Sequence, residues 1–234
     1  MRVTLIASTQ LTGIYHDSNF NYEEWMPEHE EAYDYGTTDA DRLAEFAGRS
    51  CYRAFNKPNP KTRENADYLA NILKLQHESV LEHASATFFV ENVSRALLLE
   101  LERHRHLSFS VVSQRYVNHS DAEHVIPPVF KGDADAERII NSAHYDALLT
   151  YDTLVGMAIE KGLSRKEARG AARTVLPEGT ETSIVLTANH RAYRYVIKLR
   201  SSPHADAEIR EFAQALLVEL KKISPNAYQD MMED

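Results

Sequence analysis

ETSIVLTANHRAYRYVIKLRSS, residues 181–202, reads as two elements joined without a break. Residues 181–189 are rich in Thr, Ile and Val and read as a strand. From His190 the apolar spacing becomes helical, and the helix must stop before Pro203. Asn189, His190 and Arg191 sit at the junction, where a strand-to-helix corner offers backbone N–H groups and side chains to an anion. Arg191, Arg194, Lys198 and Arg200 share the helix; for Arg194 and Lys198 a solvated basic face is expected.

The flanking chain alternates irregularly between the two periods. MRVTLIAST (1–9) and ASATFFVEN (84–92) read as strands, and SQRYVN (113–118) as a short one. Residues 13–37 read as a loop. A helix behind Thr and Asp capping candidates presents Leu43, Phe46, Ala47 and Cys51, and NKPNPK (56–61) breaks the chain after it. TRENADYLANILKLQ (62–76) places Leu69, Ile72, Leu73 and Leu75 on an apolar stripe. Further helices are expected at 94–106 behind Ser94, at 133–161 behind Asp133 or Asp135, and after a Ser164–Glu167 capping box. The last, near 206–224, carries Ile209, Phe212, Ala213, Leu216, Leu217 and Leu220 on one face. With no repeat and no second composition regime, this order implies an α+β fold. An antiparallel or mixed sheet would pack with helices in a single domain, 1–234.

Composition narrows the function. A formal net charge of −9 over 234 residues argues against a general nucleic-acid binder but allows local basic pockets. One cysteine, Cys51, excludes an internal disulfide; it is read as a core residue on its helical stripe. Neither a signal peptide nor a membrane-spanning run is legible, so a cytoplasmic enzyme or binding protein is expected. No dinucleotide or P-loop glycine pattern occurs.

ERHRHLSFSVVSQRY (102–116) concentrates the cations after the apolar run ALLLEL. Two readings stay open. Arg103 to His106 could be a basic helix end, stabilised by the macrodipole by roughly 0.3–1 kcal/mol per cation. Alternatively, they could join Arg115 in binding an anion, a task for which the guanidinium fork is suited. His77, His83, His104 and His106 form no recognised metal spacing, and no metal is expected.

RHRHLSFSVVS matches the pattern Arg-His-Arg, seven residues, Ser, and so resembles the flavin-dependent thymidylate synthases. HESVLEHASATFFV (77–90) and the block from Ala171 to Arg210 are similar to that family's flanking segments, and the likeness runs from about residue 40 to 225. The resemblance implies the thymidylate synthase-complementing fold and a homotetramer with shared active sites. It implies reductive methylation of dUMP to dTMP, with 5,10-methylenetetrahydrofolate as carbon donor, FAD reduced by NADPH, and tetrahydrofolate as product. No protein nucleophile is needed, and neither nucleic acid nor membrane is an implied partner.

By position, the resemblance assigns flavin contacts to Ser79, Arg103, His104, Arg105, Val111, Asn189, His190, Arg191 and Tyr195. It assigns the nucleotide to Glu100, Leu101, Glu102, Arg103, Val111, Val112, Ser113, Gln114, Arg115, Arg173 and Arg200. Arg200 is the implied catalytic residue, favouring the N3 anion of the uracil so that C5 becomes the nucleophile. Val111 stands where many relatives carry Gln or Glu, Tyr195 where some have His, and His190 where some have Tyr.

Overall fold

A computed structural model describes residues 1–12, 25, 37–55 and 59–232. The loop expected at 13–37 lies, apart from Trp25 and Thr37, outside the described residues. Four strands, β1 (Arg2–Ser8), β2 (Ser85–Ser94), β3 (Ser108–Val111) and β4 (Glu181–Asn189), make one sheet in the order β1-β2-β4-β3. The pairing is antiparallel. Thr87 and Thr187 hydroxyls meet at 3.0 Å, while the Asn92 N–H donates to the Glu181 carboxylate at 3.2 Å. Among the described residues seven α-helices accompany the sheet: α1 (Asp39–Tyr52), α2 (Asn65–Lys74), α3 (Arg95–Leu101), α4 (Ala134–Glu160), α5 (Arg165–Ala172), α6 (His190–Arg200) and α7 (Ala207–Ile223). The expected α+β class is the observed one.

The chain forms two compact units. The first comprises Met1–Arg2, Phe89–Leu186 and Pro203–Phe212; the second comprises Val3–Phe88, Thr187–Ser202 and Ala213–Asp234. Strands β2 and β4 and helix α7 each contribute residues to both. Both strands alternate strictly over their central residues, with Phe88, Val90, Ile184 and Leu186 buried and their neighbours half-exposed. In the first unit α3 buries Leu97, Leu98 and Leu101, and α7 begins with buried Ile209 and Phe212. In the second, α2 buries Leu69, Ile72 and Leu73, α6 buries Tyr193, Val196 and Ile197, and α7 buries Leu216, Leu217 and Leu220. Each such side chain contributes roughly 1.5–3 kcal/mol on leaving water. No helix among the described residues is long and apolar enough to cross a membrane.

Several expectations are corrected. Residues 113–118 are not a strand. The strand is Ser108–Val111; beyond it the Tyr116 and Val117 N–H groups both donate to the Ser113 carbonyl, and the Ser113 hydroxyl accepts from the Arg115 N–H at 3.3 Å. Serine's local hydrogen bonding turns the chain where the strand was expected to run. Helix α3 ends at Leu101, before the cations. The Arg103 and His104 N–H groups close tight bonds onto the Glu100 and Leu101 carbonyls.

Cys51 is exposed rather than in the core. Helix α1 is rotated from its apolar stripe and buries Ala40, Asp41, Ala44, Glu45, Gly48 and Arg49. A polar network holds this face inward. Asp41 accepts from the Ser224 hydroxyl at 2.5 Å and from the Asn226 and Ala227 N–H groups, and Glu45 accepts from Arg49 and Asn65. Arg194, expected on a solvated face, is fully buried.

Candidate active site

The residues implied in ligand binding fall into two sets, one in each unit. In the first unit, Glu100 and Leu101 end α3, and the others lie in the turn after it, on β3 and the turn beyond, and after α5. Ser94 is the N-cap: its hydroxyl accepts from the Leu97 N–H at 3.0 Å and donates to Glu208 at 2.5 Å, and its own N–H donates to Glu208 at 2.8 Å. Leu101 is buried, so its part in any pocket is main-chain, whereas Glu100 is half-exposed and Glu102 exposed. In the turn that follows, the side chains alternate. His104 is buried, and Arg103, Arg105 and His106 point outward. The buried imidazole anchors the turn that displays the two guanidinium groups.

Strand β3 and the turn after it supply Val111, Val112, Ser113 and Gln114, all half-exposed, and exposed Arg115. The Val112 N–H donates to the Ser183 carbonyl at 3.4 Å, tying this segment to β4. Helix α5 braces the turn. Arg169 donates to the Tyr116 carbonyl at 2.6 Å, and the Lys166 ammonium lies 4.6 Å from the Tyr116 ring centroid. A hydrogen bond from Lys166, and then its charge, lowers the Tyr116 pKa. A methyl group at Gly170 would stand 3.6 Å from Arg115 Nε, so the Arg115 stem lies along α5.

Arg173 follows α5 in a short 3₁₀ turn and is exposed. It is close enough to Arg95 to depress the latter's pKa; burial is the larger cause, and Glu102 opposes both. Arg95 was missed in the sequence. Its signal was a cation directly behind an N-cap, at the end of a helix where the macrodipole disfavours positive charge.

Among the described residues, no carboxylate lies within ion-pair distance of Arg103, Arg105, Arg115 or Arg173. That is notable in a chain with 35 acidic and 26 basic residues. Exposed guanidinium groups without a direct ion pair are suited to phosphate, although Arg115 still feels the charge of Glu167.

The second set sits on α6 and the 3₁₀ segment Glu78–Glu82. Asn189 is the N-cap of α6, accepting from the Ala192 N–H at 2.8 Å, as a strand-to-helix corner requires. Arg191 is exposed and paired with Glu82. Lys198 donates to Glu78 at 2.9 Å, so these two pairs flank exposed Ser79. Tyr195 is 62% exposed, and Arg200 is half-buried at the end of the helix. His190 faces inward: its Nδ1 lies 3.0 Å from the Tyr228 hydroxyl, its Nε2 has no partner among the described residues, and burial drives its pKa down to about 4. A neutral, buried imidazole leaves main-chain atoms and the N-terminal turn of α6 as this residue's route to a ligand.

The residues present fit an anionic cofactor. Arg103 and Arg105 are open cations beside a buried anchor, and the capped N-terminus of α6 offers the positive end of a helix. Neither device needs the glycine-rich turn that the sequence lacks.

Residues 34–226 match the family described as thymidylate synthase complementing protein, and the chain belongs to it. Among individual relatives, a probable flavin-dependent thymidylate synthase of Mycobacterium phage L5 is 51% identical over 237 residues, covering 99% of this chain and 97% of its own length. A flavin-dependent thymidylate synthase of Mycobacterium tuberculosis is 48% identical over 204 residues, covering 83% and 82% respectively.

Proposed function

We propose that this chain is a flavin-dependent thymidylate synthase acting within a single catalytic domain. The observation that carries the reading is the set of four exposed arginines that, among the described residues, have no carboxylate within ion-pair distance in an acidic protein. A nucleoside monophosphate and a flavin pyrophosphate are anions of the size such groups can hold. The family membership and the flavin-dependent relatives supply the reaction class.

In this reading Arg115, Arg173 and Ser113 hold the phosphate of dUMP, with Gln114 and the main chain of 111–115 orienting the nucleotide. Glu100, Leu101 and Glu102 line the same pocket, and Arg103 touches both ligands. His104, Arg105, Ser79, Asn189, His190, Arg191 and Tyr195 hold FAD. Val111 contributes by its main chain, since an aliphatic side chain can neither donate nor accept a hydrogen bond. Bound flavin, reduced by NADPH, supplies the hydride, and methylenetetrahydrofolate supplies the carbon.

Arg200 places a fixed positive charge at uracil N3. A cation within about 4–6 Å lowers such a pKa by roughly 1–3 units, favouring the N3 anion and raising electron density at C5. The substrate carbon then attacks the one-carbon unit without a protein nucleophile. Exposed Cys51, in α1 of the second unit, has no part in this chemistry. The enzyme acts as a homotetramer in the cytoplasm.

The test is turnover of dUMP with methylenetetrahydrofolate, NADPH and saturating FAD. Thymidylate should form, and omission of FAD should abolish it. Flavin binding without thymidylate would instead mark a non-catalytic flavin protein.

A further inference from the structure

Arg194 is the largest fully buried side chain among the described residues. It lies mid-helix in α6, between exposed Arg191 and Tyr195 and within two turns of Arg200. A guanidinium keeps its charge at any ordinary pH, so burial is tolerable only with a counter-charge and satisfied N–H groups. Asp230 supplies the counter-charge and the acceptors for the two terminal nitrogens, while Nε has no partner among the described residues. Its two carboxylate oxygens accept from Nη1 and Nη2, each at 2.7 Å, in a bidentate fork. The Ala227 carbonyl accepts from Nη1, the Glu78 carboxylate stands 3.6 Å away, and the Tyr228 ring centroid lies 5.9 Å from the guanidinium carbon. The Tyr228 hydroxyl in turn sits against His190 at the start of the same helix.

We propose that Asp230, acting through Arg194, is a positioning residue that sets the rotation of α6 and thereby the placement of Arg191, Tyr195 and Arg200. The functional half of this inference rests on the flavin and nucleotide reading above; the mechanical half does not. The apolar stripe of Tyr193, Val196 and Ile197 decides which side of α6 faces inward. Such a stripe is non-directional and permits rolling. A roll of about 20° would move groups at the helix rim by roughly 2 Å. Binding and catalytic groups tolerate roughly 0.5 Å. The planar fork is directional, and it fixes the roll.

The network also reaches the 3₁₀ segment. Glu78 is shared between Lys198 and Arg194, and Ser79 is its neighbour. Without the Asp230 charge, Glu78 is the nearest remaining carboxylate to Arg194. Its movement inward would shift Ser79 and release Lys198. The clamp therefore positions both elements that carry the second set of ligand residues.

Asp230→Asn keeps the side-chain volume and one acceptor but removes the charge. Asp230→Glu keeps the charge. Amide hydrogen exchange across residues 190–200, measured on the whole protein without ligands, reads the clamp directly. FAD affinity and the kcat and KM for dUMP read its consequence. We expect Asp230→Asn to speed exchange in α6 by about tenfold or more and to weaken FAD binding by a similar factor. Asp230→Glu should recover most of both losses, and Glu219→Gln, a surface pair on α7, should change neither.

The cycle with Arg194→Met should be non-additive, because removing both charges leaves no orphaned partner. Unchanged exchange in Asp230→Asn would overturn the clamp. Weakened FAD binding with unchanged exchange would overturn it too, making Asp230 a direct ligand contact. Faster exchange in a protein whose wild type binds no FAD would sink the flavin reading and leave the clamp standing.

Discussion

His190 is 1% exposed at the first position of α6, and its imidazole contacts only the Tyr228 hydroxyl among the described polar groups. Burial lowers its pKa from 6.5 to about 4. The fold therefore prefers the neutral ring. Its stabilising contribution is complete above pH 6.5 and is lost as pH falls from there towards 4. The shift corresponds to roughly 3 kcal/mol, on the order of a large single-residue effect. Urea unfolding between pH 7 and 4 should show that loss, and His190→Phe should flatten it; an equally steep fall in the variant would assign the acid sensitivity elsewhere. At Arg200 the account is chemical rather than structural. Arg200→Lys retains charge but not the fork, and kcat should fall about 100-fold while flavin stays bound. Arg105→Ala should instead lose the flavin absorbance on purification. Normal turnover in Arg200→Lys would remove the role at N3.

Glu100 and Leu101, two of the proposed ligand residues, end α3, and the turn carrying Glu102 to Arg105 follows it directly, so the cap at the start of the helix bears on their placement. Ser94 satisfies the Leu97 N–H and is itself bound by buried Glu208. Ser94→Ala should destabilise the protein by about 1–2 kcal/mol, measured by chemical unfolding, and should weaken dUMP binding as the helix end loosens. The elements were largely legible because their signals are local: Ser94, Asp133 and Ser164 all cap the helices that their positions suggested. What failed were readings that depend on distant partners. Cys51 and Arg194 were misplaced because the polar networks of Asp41 with Ser224 and of Arg194 with Asp230 join residues 183 and 36 positions apart. No hydrophobic period encodes such a bond. The segment 113–118 failed for the opposite reason, a local one, since the serine turn outweighed strand propensity. The proposed ligand residues come from the motif, whereas the local contacts of Arg95, Tyr116 and Lys166 needed the packing of α3 and α5.

Across the whole molecule, 35 acidic residues outnumber 26 basic ones, yet among the described residues Arg103, Arg105, Arg115 and Arg173 face solvent in one compact unit with no carboxylate within ion-pair distance. An acidic surround with a few exposed cations favours compact anions over nucleic-acid strands. Binding of dUMP should weaken with salt far less steeply than a nucleic-acid interface does, because one phosphate is neutralised rather than many. In solution the chain should run at about four times its monomer mass, consistent with the proposed tetramer. The central claim is that the reducing hydride comes from flavin and not from the folate. The direct measurement is the identity of the folate released during turnover of dUMP with methylenetetrahydrofolate and NADPH. Tetrahydrofolate, formed in proportion to thymidylate and to NADPH consumed, is the predicted product; dihydrofolate in that proportion would contradict the account.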